Sequence, residues 1–362
     1  MTDRSKRNLP LDLIRVLAFL SVVSGHFFKE TGYYSLPMNN PPMFFWSMIR
    51  ETNMLCIPIF IMLSGWLMKS RRPNVAHYIR LIPTLLIYVL ISALTLFYRW
   101  HFVGEPFTLI TGLLAILDFT AVPYAWYVEM YIGLFLLAPF LNILWANLDD
   151  RAKKILLAVL ILMTSLPRAF LCVDLHILPS WWIAMYPVAY YFIGSWLRED
   201  MEEKSPKKAG LALLIFLAGV ITSATMSFCF AGGGVFCWGE WQEFGMPQYL
   251  VASVCLFRLE YMLGGLIGGK GRAQEPVDIP GRFSLAGGFA WFLGKLSKYS
   301  FGAYLFSYLA DHIFYYKLRI WEPVDTARLL WYPVAIPVIA AAALIASIPV
   351  TWLVHFMCKK RG

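Results

Sequence analysis

The first hydrophobic stretch, about residues 9–28, constrains this chain more than any other. It opens Leu9-Pro-Leu-Asp12-Leu-Ile-Arg15 and closes Ser24-Gly25-His26-Phe-Phe28. Roughly 20 predominantly apolar residues are what an α-helix needs to cross a bilayer, yet Asp12, Arg15 and His26 stand inside this one. A charge within a span costs about 2.5–3.5 kcal/mol on insertion scales, so such groups turn toward protein or a watery cavity. The spacing from Arg15 to His26 is three turns plus about 20°, which puts both on one face, roughly 16 Å apart along the axis. Asp12 lies one turn below Arg15 on that face. The spacing therefore predicts a polar stripe with a guanidinium low down and an imidazole near the top.

Comparable stretches recur along the chain. They predict an all-α, polytopic integral membrane protein of about ten transmembrane helices. The expected spans are about 9–28, 46–68, 81–99, 126–146, 154–171, 181–197, 209–228, 247–268, 291–316 and 330–357. Composition agrees: 59% of the 362 residues are hydrophobic, 15% are charged and the mean hydropathy is +0.61, whereas soluble domains are near 45–50% apolar. No linker or low-complexity stretch interrupts residues 1–362, which read as a single transmembrane domain.

Charge orients the spans. The opening shows no signal-peptide cleavage site, and Arg4, Lys6 and Arg7 before the first span hold it in the cytoplasm. With that start, the inner segments carry Lys69, Arg71, Arg72 and Arg80, then Arg151, Lys153 and Lys154, and then Arg198 and Lys204. Lys270 and Arg272 follow, and Lys359 and Lys360 close the series, so both termini are expected inside. The outer segments hold far fewer cations, among them Lys29, Arg50, Arg99 and Arg168. The net charge of +9 is thus a topology signal, and no nucleic acid is implied. Residues 107–122 are apolar but short and lack flanking charges; they read as an outer re-entrant or surface helix.

Three readings fit the stripe. Asp12 and Arg15 can pair structurally at the inner interface, with His26 among the outer headgroups. The stripe can line a transport path with His26 as a proton relay. Or His26 can be the base of an enzyme whose channel holds an anionic cofactor at its other end. The motifs favour the last. Leu-Asp-Leu-Ile-Arg15…Ser24-Gly25-His26 resembles the first helix of the membrane-bound acyltransferase type 3 family. Pro58-Ile-Phe-Ile-Met-Leu-Ser64-Gly65-Trp resembles its second-helix motif, and Arg80-Leu-Ile-Pro83 the start of its third helix. Trp126-Tyr127, with Ile132-Gly-Leu-Phe and Pro139 after it, resembles a further helix of the family. Leu293-Gly-Lys-Leu-Ser297…Ser300-Phe-Gly302-Ala-Tyr304-Leu-Phe resembles its late segment. The five occur in the family's order over about residues 9–310.

The resemblance implies an enzyme that moves an acyl group, expected to be acetyl, from cytoplasmic acyl-CoA to a hydroxyl of an extracytoplasmic cell-envelope glycan or lipid-linked sugar. It would work in the inner (plasma) membrane, in contact with the lipid bilayer and without a metal. Arg15 and Asp12, with the basic loop residues Lys69, Arg71, Arg72 and Arg80, are the expected seat of the CoA phosphates, because guanidinium and ammonium groups suit phosphate. The loop's charges also serve as positive-inside anchors. His26 would act as general base, with an acyl-histidine intermediate as a variant. Glu129, opening the fourth span, and Asp311, near the end of the ninth, fall near the expected level of His26; either can orient the imidazole. Trp126, Tyr127 and Tyr304 lie in the resembling motifs and are the expected acceptor contacts. Where the family usually has a histidine after its late Tyr-Leu-Phe/Ile, this chain has Ser307; that role is vacant or passes to His312.

Ser64 is not read as a nucleophile. It falls near the inner end of its span, at the wrong depth for His26, and its expected job is to shape the wall of the cofactor channel. The loop from Phe228 to Phe244 is rich in aromatic and acidic groups. It reads as an interfacial belt or as a sugar-recognition surface through Trp238 and Trp241 with Glu240 or Glu243. Cys229 and Cys237 can bridge there in an oxidising compartment; Cys56, Cys172, Cys255 and Cys358 lack metal-ligand spacing. The rival function is an exporter of a glycan precursor or small solute that uses the same channel without chemistry.

Overall fold

The computed structural model describes residues 8–171, 176–201, 206–267 and 285–359. Arg4, Lys6, Arg7, Cys172, Lys204, Lys270, Arg272 and Lys360 lie outside them. The described residues form α1 (Leu9–Glu30), α2 (Pro41–Met54), α3 (Cys56–Met68), α4 (Val75–Ile79) and α5 (Ile82–Tyr98). The next are α6 (Leu109–Leu117), α7 (Trp126–Ala146), α8 (Asp150–Leu171), α9 (Tyr186–Asp200) and α10 (Pro206–Ala231). The last are α11 (Pro247–Ile267), α12 (Leu285–Trp321), α13 (Asp325–Arg328) and α14 (Tyr332–Lys359). No strand occurs among them; Pro37 and Val235 make an isolated antiparallel bridge.

The expected spans fall on helical segments, the second of them on two helices. Among the described residues, seven segments are long and apolar enough to cross a membrane: 9–30, 41–68, 75–103, 126–146, 209–231, 247–267 and 325–359. The other three expectations fall on α8, α9 and α12. The first carries Asp150, Arg151, Lys153 and Lys154 in its opening turns, and α9 is only 15 residues long. Helix α12 runs for 37 residues, about 55 Å, with Lys295, Lys298 and Asp311 along it. The short segment at 107–122 folds as the nine-residue α6, about 13 Å long, which cannot cross a core of about 30 Å. Leu109, Ile110 and Leu117 on it are exposed.

The chain divides into two compact units that alternate along the sequence. The first comprises residues 1–69 and 144–297, the second 70–143 and 298–362. In the first, α1 packs on α2, α3 and α11, while α3 lies along α9 and α10 along α11. Asn8 starts α1 by accepting the amide of Leu11 at 3.3 Å, and Pro10 suits the first turn, where its missing N–H costs nothing. Leu9, Leu13 and Val16 then bury against Ala290 and Leu293 at the start of α12.

The second span is not one helix. Pro58 lacks an amide and its ring crowds the carbonyl four residues back, at Met54. The helix accordingly breaks at Leu55, whose N–H turns to the Thr52 carbonyl at 3.2 Å. Arg50 and Glu51 lie inside the first half, each 1% exposed. The expectation that Arg50 is an outer-loop cation is thereby corrected: a neighbouring carboxylate allows it to be buried.

Gly65 on α3 and Gly194 on α9 face each other's backbones. A Cβ at Gly65 would sit 2.0 Å from the Tyr191 carbonyl oxygen, and one at Gly194 2.0 Å from that of Met62. Small residues at such crossings let helices meet backbone to backbone. Gly65→Ala or Gly194→Ala should therefore lower stability by about 1–3 kcal/mol or more. Gly133→Ala, where nothing lies within 4 Å, should be tolerated. Melting curves of the detergent-solubilised proteins check this, and equal melting of all three would refute the tight crossing.

In the second unit α5 packs on α6 and α14. Gly302 of α12 lies against Ser347 and Thr351 of α14, whose side chains would be 3.0 Å from a Cβ there. Tyr98 and His312 join α5 to α12 through a 2.9 Å contact between the hydroxyl and Nδ1.

Candidate functional site

In the first unit α1 is unbroken from Leu9 to Glu30, so the helical spacing of Asp12, Arg15 and His26 on one face holds. The Arg15 guanidinium donates to the Ser297 hydroxyl at 2.9 Å and lies 4.0 Å from the Asp12 carboxylate. Asp12 and Arg15 are both only partly buried. Between Val22 and Phe28, His26 is the one residue that is not fully buried. Phe19 and Val22 share its face between the polar ends, and both are buried. The stripe thus has two partly buried polar ends and an apolar middle.

The cations that follow α3 part company. Lys69 donates to Glu199 Oε1 at 2.6 Å, where Trp145 (3.0 Å) and Lys153 (3.3 Å) also donate. Burial works against ionisation of Glu199, but these hydrogen bonds outweigh it and hold the carboxyl below its ordinary value of 4.5. Burial likewise lowers the pKa of Lys69, against the pull of Glu199. A depressed carboxyl stabilises the fold above the unfolded pKa and loses that contribution as pH falls through the folded one. Melting temperature should therefore drop below about pH 4.5, and Glu199→Gln should flatten that drop; parallel curves for both proteins would count against the cluster. Arg71, Arg72 and Arg80, in the second unit, have exposed side chains. The Ser64 hydroxyl donates to the Phe60 carbonyl at 2.9 Å, within its own helix, which leaves it to packing.

The second unit gathers Asp311, Tyr124, Tyr127 and Tyr304. Asp311 is 1% exposed and accepts the Tyr124 hydroxyl at 3.0 Å. Tyr304 donates to the Tyr124 carbonyl and meets Tyr127 edge to face at 6.2 Å. Glu129, one turn into α7, and Trp126 are exposed. The two carboxylates considered as partners of His26 therefore differ: Asp311 is buried in a tyrosine cluster and Glu129 is open.

Sequence reasoning missed a buried charged cluster in the first unit. Arg50 donates to Glu51 Oε1 at 2.8 Å. Glu51 also accepts from Tyr249 of α11 and from Ser227 of α10, the latter at 3.2 Å. Gln242 continues the network, donating to Ser227 at 3.5 Å and to the Cys237 carbonyl at 3.1 Å. Met54, one turn from Glu51 and on the same face of α2, reaches Gly25 beside His26: a Cβ at Gly25 would lie 2.9 Å from its Cε. The adjacent Arg-Glu pair at the edge of an apolar stretch was the available signal.

The loop after α10 separates the two expected indoles. Trp238 is 62% exposed, whereas Trp241 is 7% exposed and stacks on Phe230 at 3.8 Å. Glu243 pairs with Arg168 at 3.3 Å, and the Glu240 side chain lies outside the described residues. Cys229 and Cys237 are free thiols. No group of three or more His, Cys, Asp or Glu side chains able to hold a metal occurs among the described residues.

Described residues that are helical without strands, with seven segments of membrane length among them, mark a multi-pass membrane protein. Residues 8–356 match the family described as an acyltransferase domain, type 3, and the chain belongs to that family. It is accordingly a membrane acyltransferase in general terms. No curated protein and no solved structure matched it.

Proposed function

We propose that this acyltransferase takes an acyl group, most simply acetyl, from cytoplasmic acyl-CoA and passes it to a hydroxyl of an extracytoplasmic glycan or lipid-linked sugar in the cell membrane. The carrying observation is the single face of α1, with Arg15 and Asp12 near one end and His26 about 16 Å further on. Arg15 would hold a phosphate of the donor, assisted by Ser297. The apolar middle, with Phe19 and Val22, suits the methylene-rich pantetheine arm. His26 would accept the proton of the acceptor hydroxyl as its oxygen attacks the thioester carbonyl. The C–S bond breaks, and the imidazolium returns the proton to the departing thiolate. The buried Asp311 with Tyr124 and the open Glu129 remain the proposed supporting carboxylates, and Trp126, Tyr127 and Tyr304 the proposed acceptor contacts. Lys69, Arg71, Arg72 and Arg80 would add to the donor's electrostatic attraction.

Transfer of label from radiolabelled acetyl-CoA to envelope glycan in membranes tests the proposal. Losing one charge-assisted contact costs about 1.5–3 kcal/mol, so Arg15→Ala should raise the donor KM roughly ten- to a hundredfold. Glycan flux that persists without acyl donor, with no label transferred by the wild type, would instead establish the exporter.

A further inference from the structure

An aromatic cage closes over Arg50. Its guanidinium carbon lies 4.8 Å from the Phe236 ring centre, 5.2 Å from that of Trp238 and 5.8 Å from that of Tyr34. The rings also touch each other, Tyr34 to Trp238 at 4.8 Å and Phe236 to Trp238 at 5.1 Å. Phe236 is buried, and Trp238 alone of the two loop rings is largely open. Two backbone features hold the loop there. Gly232 and Gly233 take the left-handed conformation (φ 58° and 82°) that turns the chain out of α10. The amide of Met38 then donates to the Gly234 carbonyl at 2.8 Å beside the Pro37–Val235 bridge.

We infer that Trp238, seated on Arg50 and flanked by Tyr34 and Phe236, is the stacking platform for a neutral pyranose ring of the acceptor. The inference rests on the glycan acyltransferase reading above. Three observations carry it. First, Glu51 already neutralises the guanidinium, so the open indole is offered to an uncharged ligand, not to a phosphate or carboxylate. Second, the ring is fixed on several sides above a fully buried ion pair. Burying such a pair incurs a large desolvation cost, and a tryptophan that only dips into headgroups needs no fixed orientation. Third, the platform belongs to the same unit as His26. From His26 to Glu30 α1 rises about 6 Å, and Phe28, Tyr33, Tyr34 and Trp238 then form an unbroken chain of ring contacts. Phe28 and Tyr33 are fully buried, so this chain of rings ties the platform rigidly to the end of α1 that carries His26.

The test uses detergent-solubilised full-length protein on an array of neutral hexose and N-acetylhexosamine oligosaccharides. Label transfer from acetyl-CoA to membrane glycan is measured in parallel. Wild type should bind array glycans, Trp238→Ala about tenfold more weakly, and Trp238→Tyr within a few fold of wild type. Trp238→Leu should bind as poorly as the alanine variant. Melting temperatures within a degree or two of wild type would show that each exposed-site variant is folded. Wild-type binding equalled by Trp238→Ala, or no wild-type binding at all, overturns the platform. Equal binding by Trp238→Leu and wild type reassigns the ring to a membrane anchor and also overturns it. Array binding that depends on Trp238 without any label transfer would keep the platform and sink the acyltransfer chemistry. Transfer without such dependence would do the reverse.

Discussion

His26→Ala should lower acyl transfer by about 10²–10⁴-fold, the usual worth of a positioned general base, while leaving the protein folded. His26 is the one residue of its turn that is not fully buried, so its removal opens a smaller cavity than loss of a core side chain would. Initial rates with labelled acetyl-CoA, normalised to folded protein by size-exclusion chromatography, give the readout. His26→Gln keeps a hydrogen-bonding side chain of similar reach but no useful basicity, and should be nearly as slow. A glutamine variant within threefold of wild type would show that position 26 orients the acceptor without taking its proton.

The second large effect concerns stability. Glu51→Ala leaves Arg50 buried with its carboxylate gone, and strips Tyr249 and Ser227 of their acceptor. Breaking a buried pair from one side costs about 3–5 kcal/mol. The variant should therefore melt far below wild type or fail to accumulate. Arg50→Met/Glu51→Leu removes both charges together and should recover a substantial part of the loss. A single variant as stable as wild type would mean that the pair contributes little to the fold. The contrast between single and double variants separates the cost of an orphaned charge from the value of the pair.

Hydropathy located the helices well because a span must be apolar whether it faces lipid or protein. The ends of α1, α5, α7 and α11 fall within a few residues of expectation for that reason. The same property hides what happens between helices. The window over 46–68 averages across the break at Leu55, although Pro58 supplied the steric reason for it. Arg50 was legible as a cation but not as a buried one, since its carboxylate, its roof of rings and its partners on α10 and α11 come together only in the fold. Asp12, Arg15 and His26 were legible because one helix carries all three. The hydroxyl that receives Arg15 was not, because Ser297 is 282 residues away in the chain.

That separation has a temporal side. A ribosome adding about 5–20 residues per second makes Ser297 roughly a quarter of a minute to a minute after Arg15. Asp12, one turn away, is within reach of the guanidinium from the start, whereas α8 to α11 and the start of α12 arrive only after the intervening segment has been synthesised. The first helix must therefore wait in or beside the insertion machinery with its charged face unsealed. Nascent chains arrested before residue 285 should leave a cysteine at position 16, which packs against Ala290 and Leu293 once the chain is complete, open to aqueous thiol reagents that the finished protein shields.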